Sequence, residues 1–454
     1  MDIAGKRVLV MGLGHHGGGV AVTRFLRESG AVVTVTDMAS AESLSAPLAR
    51  LADLRGVEYR LGAHDQEDFE RAEVIVVNPA VKPGNAFVER ARSRGARITS
   101  EIELLLERAP ARIIGVTGSV GKSTTATMID TILRVAGLRS WLGGNIGHSL
   151  LADLPSMTRR DWAVVELSSF QLHWLSPGAR MPDIAVVTNC VPNHLDWHGT
   201  FGEYALAKRR IVEEQSRDGV AIFDSTDAEV ARWRSAAKGR VVDIAAPAIA
   251  ADMSWLGKES KLMGLHNQRN ARLAAAAARA VGVDDHTIRT ALDAIEPLPH
   301  RIALVAEIDG RRYVNDSKST TPAATKAAID AFPHARLWLL AGGRSKGVDL
   351  ADLADHIAAH VHGGAFFGEA CDTFFHLVGQ RVKKEHLANF ARTADMATAF
   401  DWCHDRGQPG DVVLLSPACA SFDQFHDFED RGRRFAQLVE GCRLPPPQPV
   451  RARI

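Results

Sequence analysis

The turn at residues 117–124, Thr-Gly-Ser-Val-Gly-Lys-Ser-Thr, has the residue types and spacing of a phosphate-binding loop. It follows an apolar run at 113–116 that predicts a strand, and it leads into a predicted helix. Backbone N–H groups of such a turn face an anion, while Lys122 and the Ser123 hydroxyl supply a positive charge and a Mg²⁺ ligand. The turn therefore predicts the use of ATP or GTP. The alternative is a Gly/Ser-rich surface turn.

Two further polar clusters follow the next apolar runs of the same region. Glu166 follows the run at 163–165, and a carboxylate there could hold Mg²⁺, although an acid favoured by a helix N-terminus is the alternative. Residues 193–198, Asn-His-Leu-Asp-Trp-His, follow the run at 184–188. They indicate a metal or substrate site, with a structural turn as the alternative. Lys208 stands beside two arginines, and by itself it predicts a solvated helix lysine.

Three polar loops follow predicted strands in the last third of the chain. They are residues 315–321, 342–347 and 416–422, and they include Lys318 and Lys346. Lysines at strand ends suit an anionic substrate and the phosphates with which it reacts. One such loop could arise by chance, whereas three predict a wall of an active site.

The elements that must position these loops are strands that alternate with helices. Such alternation predicts an α/β fold with mainly parallel sheets, whose ligands collect at the carboxyl ends of the strands. The chain begins with a strand, the turn Gly12-x-Gly14-x-x-Gly17, a helix and a second strand that ends at Asp37. This layout is typical of a dinucleotide-binding fold, and alone it suggests NAD.

The length of 454 residues predicts about three domains. We expect a Rossmann-like domain at 1–99, a central P-loop domain at 100–298 and a C-terminal α/β Rossmann-like domain at 299–443. The proline-rich tail at 444–454 is expected to be loose, and Pro297-Leu298-Pro299 predicts a hinge.

The composition excludes several classes of protein. Lys plus Arg and Asp plus Glu both number 54, so no net field favours nucleic acid or an anionic membrane. The five cysteines form no CxxC pair, which argues against a disulfide framework or a structural zinc site. The chain shows neither a signal peptide nor an apolar run that approaches the ~20 residues of a membrane span. We therefore expect a cytoplasmic protein.

These motifs together resemble those of the Mur ligase family. Leu-Ser-Ser-Phe-Gln-Leu at 167–172 and Leu-Ser-Pro-Ala-Cys-Ala-Ser-Phe-Asp-Gln-Phe at 415–425 are similar to the D-glutamate-adding member. The resemblance covers nearly the whole chain, and the segments that carry it are 12–17, 117–124, 143–147, 166–172, 193–196, Lys208, 264–270, 299–301, 315–318 and 414–425.

The resemblance implies a UDP-binding first domain, a central ATPase and a C-terminal domain that carries the amino acid. It implies that ATP phosphorylates the alanyl carboxylate of UDP-N-acetylmuramoyl-L-alanine and that D-glutamate attacks the acyl phosphate, which leaves an amide, ADP and phosphate. Lysines and Mg²⁺ would offset the negative charge that develops. The expected role is peptidoglycan precursor synthesis, on which cell-wall growth, cell shape and cell division depend. We expect a monomer with no nucleic-acid or membrane partner.

The resemblance also implies the roles of individual residues. Lys122, His194, Lys208 and Lys318 would be catalytic, and Lys208 would be carbamylated by CO₂. ATP would meet Gly118, Ser119, Gly121, Lys122, Ser123, Thr124, Asn270, Arg301 and Asp316. Mg²⁺ would be held by Ser123, Glu166, His194 and the Lys208 carbamate. The UDP-sugar would meet Gly14, His15, His16, Asp37, Asn78 and Asn145. D-glutamate would meet Lys318, Thr320, Lys346, Ser416 and Phe422.

The chain departs from the family pattern at several positions. Val120 replaces a polar residue of the cradle, Met38 and Ala39 follow Asp37, and Asn78 begins a segment that is usually Ser-Pro-Gly. These changes leave room for an altered muramoyl precursor or for L-glutamate. Two other classes remain open: a different ligase of the superfamily, such as a folylpolyglutamate synthase or another Mur ligase, and a scaffold that binds ATP without ligating anything.

Overall fold

The computed structural model describes residues 2–15, 17–247, 249, 265–295 and 298–442. Among these residues, one compact unit contains the first two sheets and a second unit contains the third. His16, the tail at 444–454 and Pro297 of the predicted hinge lie outside the described residues.

The first sheet has five parallel strands in the order β3-β2-β1-β4-β5. The strand that precedes the first glycine turn lies at its centre, as a dinucleotide-type fold predicts. Its elements are β1 Arg7–Met11, α1 Gly18–Glu28, β2 Val32–Asp37, α2 Ser45–Ala49, β3 Val57–Leu61, α3 Gln66–Arg71, β4 Val74–Val77, α4 Ala86–Ser93 and β5 Arg97–Thr99, and α5 Glu101–Arg108 follows.

The second sheet has six parallel strands in the order β11-β10-β9-β6-β8-β7. Its elements are β6 Arg112–Thr117, α6 Lys122–Val135, β7 Ser140–Gly144, β8 Trp162–Glu166, α7 Ser169–His173, β9 Ile184–Val187, α8 Leu195–His198, α9 Phe201–Glu213, β10 Val220–Phe223, α10 Ala228–Trp233 and β11 Arg240–Asp243, followed by α11 Leu265–Val281 and α12 Asp285–Asp293.

The third sheet is mixed, with the order β12-β13-β17-β14-β15-β16, and only β12 and β13 pair in antiparallel fashion. Its elements are β12 Ala303–Ile308, β13 Arg311–Asn315, α13 Pro322–Asp330, β14 Leu337–Gly342, α14 Ala351–His360, β15 Gly363–Phe367, α15 Cys371–Gly379, β16 Phe390–Arg392, α16 Met396–Arg406, β17 Val412–Ala418 and α17 Phe428–Gly441.

The central strands of the second sheet place the predicted site residues. β6, β8 and β9 are buried along almost their whole length, which is why they appear in the sequence as continuous apolar runs. Because they are adjacent and parallel, their carboxyl ends lie at one edge of the sheet. The cradle follows β6, Glu166 is the last residue of β8, and the 193–198 segment lies after β9, so the fold gathers them as the sequence predicts.

Helix α9 carries Lys208 toward the same edge. The Thr200 hydroxyl caps its first turn by accepting a hydrogen bond from Glu203 N at 3.2 Å. Its buried face includes Tyr204, Lys208 and Ile211, which are spaced as an apolar stripe on a helix. Lys208 therefore points into the protein.

Candidate active site

The phosphate cradle joins β6 to α6 and depends on two glycines. Gly118 has φ +148° and a Cβ there would lie 1.9 Å from Thr188 Oγ1, while Gly121 has φ +87° and a Cβ there would lie 2.5 Å from Asn270 Oδ1. A side chain fits neither position without displacing its neighbour. The first intrahelical bond of α6 runs from Thr125 N to Gly121 O at 2.9 Å. The amides that precede it form the helix N-terminus, where an anion binds favourably.

Asn189, which the sequence reasoning missed, holds the start of the cradle. Ser119 N donates to Asn189 O at 3.0 Å, and Val120 N donates to Asn189 Oδ1 at 2.9 Å. The Asn189 amide in turn donates to Val120 O at 2.8 Å. The expectation that consecutive N–H groups of the whole turn face an anion is thus wrong for residues 119 and 120, whose amides bond within the protein. Residue 120 is held through its backbone, so a valine is accommodated there.

The Ser119 side chain is also engaged within the protein. Its hydroxyl donates to Val191 O at 2.9 Å, accepts from Val191 N at 3.0 Å and lies 2.8 Å from the Tyr204 hydroxyl. These bonds tie the cradle to the loop after β9 and to α9. Ser119 was predicted to bind ATP, but its side chain supports the loop instead.

Two lysines converge on one carbonyl of the cradle. Lys122 Nζ donates to Gly118 O at 2.9 Å and to Ser119 O at 3.1 Å, and Lys208 Nζ donates to Gly118 O at 2.8 Å. Lys208 is only 1% exposed, so its interpretation as a solvated lysine is wrong. Burial, with the positive charge of Lys122, holds the pKa of Lys208 well below its usual range, and Glu166 offsets part of this effect. A lysine in this environment favours the neutral amine.

Glu166 ends β8 beside the cradle strand, opposite Val116 of β6, and is 2% exposed. Asn145 Nδ2 donates to Glu166 Oε1 at 2.8 Å, and Asn145 N donates to Glu166 O at 2.9 Å. The amide of Asn145, predicted to meet the UDP-sugar, therefore orients the carboxylate. Ser123 lies in the first turn of α6 and is 7% exposed. In the part of the chain that the structure describes, no three His, Cys, Asp or Glu side chains cluster as a metal site.

The residues of the 193–198 segment, which the sequence groups as one possible site, differ in their burial and in their contacts. His194 has the left-handed φ of 54°, which is uncommon for a side chain other than glycine, and its ring lies 4.7 Å from that of Phe170. Asp196 is exposed. His198 is buried with Nε2 3.0 Å from Ser169 Oγ, and burial lowers its pKa to about 4. His198 is therefore neutral near pH 7.

The first glycine turn is built around Asp37 and Asn78. The two carboxylate oxygens of Asp37 accept from Gly14 N at 3.1 Å and from Ala39 N at 2.9 Å. Asn78 Nδ2 donates to Gly12 O at 3.2 Å. The two side chains thus shape the turn that the family resemblance assigns to the UDP-sugar, and His15 lies exposed within it.

In the second unit, a buried network surrounds Asp316. Its carboxylate accepts from Ser416 Oγ at 2.8 Å and from Ile302 N at 3.2 Å, and burial raises its pKa to about 7. Ser416, predicted to meet D-glutamate, is 0% exposed and its hydroxyl also bonds Thr325 Oγ1 at 3.0 Å, so the hydroxyl is engaged within the protein. Arg301 stands beside Ile302, whose φ is 47°, a strained value for a β-branched residue.

The other predicted amino-acid contacts lie on the loops of the same unit. Lys346 Nζ donates to Thr320 Oγ1 at 3.0 Å, which brings the loops after β14 and β13 together. Lys318 Nζ lies 3.5 Å from the centre of the Phe428 ring. The Phe422 ring is 58% exposed.

Arg431 on α17 lies in no motif that would have selected it from the sequence. It is 0% exposed and donates to Ser317 O at 2.8 Å, to Ser317 Oγ at 2.9 Å and to Cys419 O at 3.1 Å. Burial lowers its pKa to about 10. Arg431 ties the loop after β13 to the residues after β17.

Three parallel-rich sheets and a phosphate cradle define a nucleotide-binding α/β protein. Comparison with known proteins identifies its family. Family models match residues 6–100 (Mur ligase MurD-like, N-terminal domain), 116–278 (Mur ligase middle domain) and 300–419 (Mur ligase, glutamate ligase domain). The chain belongs to the Mur ligase family. Its three-domain α/β fold, expected from the resemblance, is confirmed.

Two relatives and two solved structures illustrate the match. The UDP-N-acetylmuramoylalanine–D-glutamate ligases of Roseiflexus sp. (strain RS-1) and Symbiobacterium thermophilum are each 38% identical, over 97% and 96% of this chain and 99% and 98% of their own. MurC from Thermotoga maritima superposes with a TM-score of 0.59 at 16% identity, covering 96% of this chain and all of its own. MurF from Acinetobacter baumannii gives 0.58 at 17% identity, with coverage of 97% and 91%. The two structures support the fold alone.

Proposed function

We propose that this protein joins D-glutamate to UDP-N-acetylmuramoyl-L-alanine with ATP, in the synthesis of peptidoglycan precursor. The observation that carries the proposal is identity of 34–38% to ligases of that name over nearly the entire chain. A carboxylate is a poor acyl donor, so ATP first transfers its γ-phosphoryl group to the alanyl carboxylate, releasing ADP. The amine of D-glutamate then attacks the acyl carbon, phosphate leaves, and the amide nitrogen loses a proton.

The cradle is the proposed site of phosphoryl transfer. The N-terminus of α6 and Lys122 would hold the β- and γ-phosphates; the present bonds of Lys122 to the cradle carbonyls show that its Nζ reaches this turn. Gly118, Gly121 and Thr124 would let the backbone approach the nucleotide. Asn270, which already packs on Gly121, would position ATP, as would Ser119 through the loop that it supports and Arg301 and Asp316 of the second unit.

The residues beside the cradle fit a magnesium ion. Mg²⁺ takes oxygen ligands, usually one or two carboxylates together with substrate phosphates. The buried Glu166 carboxylate, oriented by Asn145, and the Ser123 hydroxyl are such ligands, and His194 would help to hold a second ion. Bound Mg²⁺ would offset the charge of the transferring phosphoryl group.

We further propose that Lys208 reacts with CO₂. The attacking species is the neutral amine, which burial beside Lys122 favours. The neutral Nζ would form a bond to the carbon of CO₂ and lose one proton, so that a neutral amine becomes a carbamate anion with two metal-binding oxygens. The carbamate would supply the anionic oxygen ligands that the unmodified cluster lacks beyond Glu166.

A ¹³C NMR spectrum of protein in ¹³C-bicarbonate tests this step. We expect a carbamate signal that is absent from Lys208→Met. A fully active wild-type sample without that signal, at saturating bicarbonate, would rule the carbamate out.

The two substrates would meet different domains of the chain. We propose that the UDP-sugar meets the turn built by Gly14, Asp37 and Asn78, together with His15, His16 and the segment of Asn145. We propose that D-glutamate meets Lys318, Thr320, Lys346 and Phe422, whose loops are linked by the Lys346 to Thr320 bond. Because Ser416 is buried, its part would be to orient Asp316.

The remaining features of the proposal concern organisation. We propose domains at 1–99, 100–298 and 299–443, which agree in number with the matched family domains, and a protein that acts as a cytoplasmic monomer. Within the described ranges, every helix is too short or too polar to cross a lipid bilayer.

Phosphate release measured over a matrix of substrates tests the proposal. We expect release only when ATP, UDP-N-acetylmuramoyl-L-alanine and D-glutamate are all present, and none when L-glutamate replaces the D-isomer. Stimulation by L-glutamate would indicate changed specificity, and release without any amino acid would indicate an ATPase. Lys122→Ala is the control: it should abolish release yet still bind the UDP-sugar, whereas loss of both would indicate misfolding.

A further inference from the structure

Two tryptophans of the central domain hold one loop of the first domain. Trp174 Nε1 donates to Val81 O at 3.1 Å, and Trp197 Nε1 donates to Ala80 O at 3.2 Å. The two indoles are 5% and 8% exposed, and each reaches a carbonyl that lies more than 90 positions earlier in the chain. Adjacent carbonyls of the loop after β4 are therefore fixed by donors that come from two separate elements of the other domain.

Further contacts strengthen this junction. Lys82 Nζ donates in the opposite direction, to Asp196 O at 2.8 Å. Both indoles belong to one buried apolar cluster with residues on one face of the first sheet, including Leu9, Met11, Ile75 and Val77. The junction is thus a packed core contact with directional hydrogen bonds.

The same loop continues into the first glycine turn. Asn78, three residues before Val81, donates to Gly12 O at 3.2 Å. A Cβ at Gly12 would lie 2.7 Å from Asn78 Cβ, so the side chain packs directly on the turn. A displacement of the loop after β4 would therefore move the turn proposed for the UDP-sugar.

The opposite end of the junction reaches His194. Trp197 N donates to His194 O at 3.1 Å in the short helix α8. The Phe170 ring lies 4.7 Å from the rings of both His194 and Trp197. The left-handed conformation of His194 is thus supported by the residue whose indole holds the first domain.

We propose that Trp174 and Trp197 are positioning residues that set the UDP-sugar turn at a fixed distance from the His194 turn and the cradle. This inference rests on the proposed function. The nucleotide-sugar would bind the first domain by its UDP end and react in the central domain by its carboxylate. Any displacement of one domain relative to the other would therefore displace the reacting carboxylate. Misplacement by about 1 Å can cost on the order of 100-fold in rate. The UDP end alone would meet the turn of the first domain, so we expect its binding to be much less sensitive to the junction than reaction of the full substrate.

The double variant Trp174→Phe/Trp197→Phe tests the inference, because it keeps aromatic volume but removes both donors. Trp233→Phe is the matched control: Trp233 is 1% exposed, and its indole donates to Glu229 Oε1 at 3.0 Å within one domain. We expect kcat/KM for UDP-N-acetylmuramoyl-L-alanine to fall by roughly tenfold or more in the double variant, with the Kd of UDP unchanged within about twofold. The control should keep both values. Equal losses for UDP and the full substrate, or an equal loss in the control, would overturn the inference.

Hydrogen exchange provides a readout that does not depend on ligation. In Trp197→Phe, we expect the amides of both 78–82 and 193–198 to exchange faster than in the wild type, because the junction links the two segments. Faster exchange in 193–198 alone would show that the first domain is held by other contacts and would refute the inference. This result stands whether or not the wild type ligates D-glutamate, so failure of the proposed function and failure of the junction are distinguishable.

Discussion

Replacing Gly121 with alanine tests the cradle through a single methyl group. Gly121 has φ +87°, and a Cβ would lie 2.5 Å from Asn270 Oδ1. The left-handed conformation costs an L-residue about 1–2 kcal/mol, and the buried Asn270 amide must also move at the expense of roughly 1 kcal/mol of hydrogen bonding. We therefore expect Gly121→Ala to lower the free energy of unfolding by about 2–3 kcal/mol.

Gly137, just beyond the other end of α6, provides the matched control. It has φ +74°, and nothing lies within 4 Å of its Cβ position. Gly137→Ala should therefore show only the backbone cost of about 1–2 kcal/mol. The difference between the two variants isolates the displacement of Asn270 from the strain of the backbone.

Urea unfolding and calorimetric titration with ATP provide the two measurements. Displacing Asn270 from the nucleotide should weaken ATP binding on the order of tenfold to 100-fold, since one hydrogen bond to a charged group contributes about 1.5–3 kcal/mol. Gly137→Ala should bind ATP as the wild type does. If Gly121→Ala binds ATP as tightly as Gly137→Ala, the cradle is not the nucleotide site that we describe.

Three other variants test separate parts of the site. Asn189→Ala leaves the N–H of Val120 without its partner, while the Val120 carbonyl keeps only the bond from the Thr188 hydroxyl at 2.6 Å. We therefore expect urea unfolding to show a loss of roughly 1–3 kcal/mol, together with weaker ATP binding; unchanged values would remove Asn189 from the cradle. Lys208→Met should abolish phosphate release but change the free energy of unfolding by less than about 1.5 kcal/mol, because an amine whose charged form is disfavoured by burial is replaced by an apolar chain of similar size; full turnover would contradict its catalytic role. The folded pKa of Asp316, about 7, lies above its unfolded value of about 3.9, so its stabilising effect is complete below pH ~4 and is lost as the pH rises to ~7. Between pH 4 and 8, the decline in the free energy of unfolding that Asp316 contributes is at most about 4 kcal/mol, measured by urea unfolding. Asp316→Asn should lack this contribution. Parallel pH profiles of the variant and the wild type would refute the assignment.

The sequence predicts the sheets well because the central strands are buried on both faces. β6, β8 and β9 form uninterrupted apolar runs, and each is followed by the polar residues that the fold gathers at one edge. The predicted runs at 163–165 and 184–188 therefore lie within one or two residues of the observed strands. The same physical rule could not reveal side chains whose partners are distant in the chain.

Asn189 and Lys208 illustrate two kinds of failure. Asn189 looks like an ordinary loop residue, since its partner Val120 lies 69 positions away and no local spacing marks the contact. Lys208 did carry a signal: its position four residues after Tyr204 and three before Ile211 places it on the apolar stripe of α9. A charged residue at a position of such a stripe is expected to be buried, although its residue type suggests a solvated side chain. Ser416 and Asp316 were predicted as site residues, but their burial appears only in three dimensions.

The central claim is that the cradle delivers a phosphoryl group to the alanyl carboxylate before the amide forms. Ligation of UDP-N-acetylmuramoyl-L-alanine labelled with ¹⁸O in that carboxylate, followed by mass spectrometry of the released phosphate, tests it most directly. The account predicts that one carboxylate oxygen appears in the phosphate for each amide made. Phosphate without the label, at normal amide yield, would contradict it.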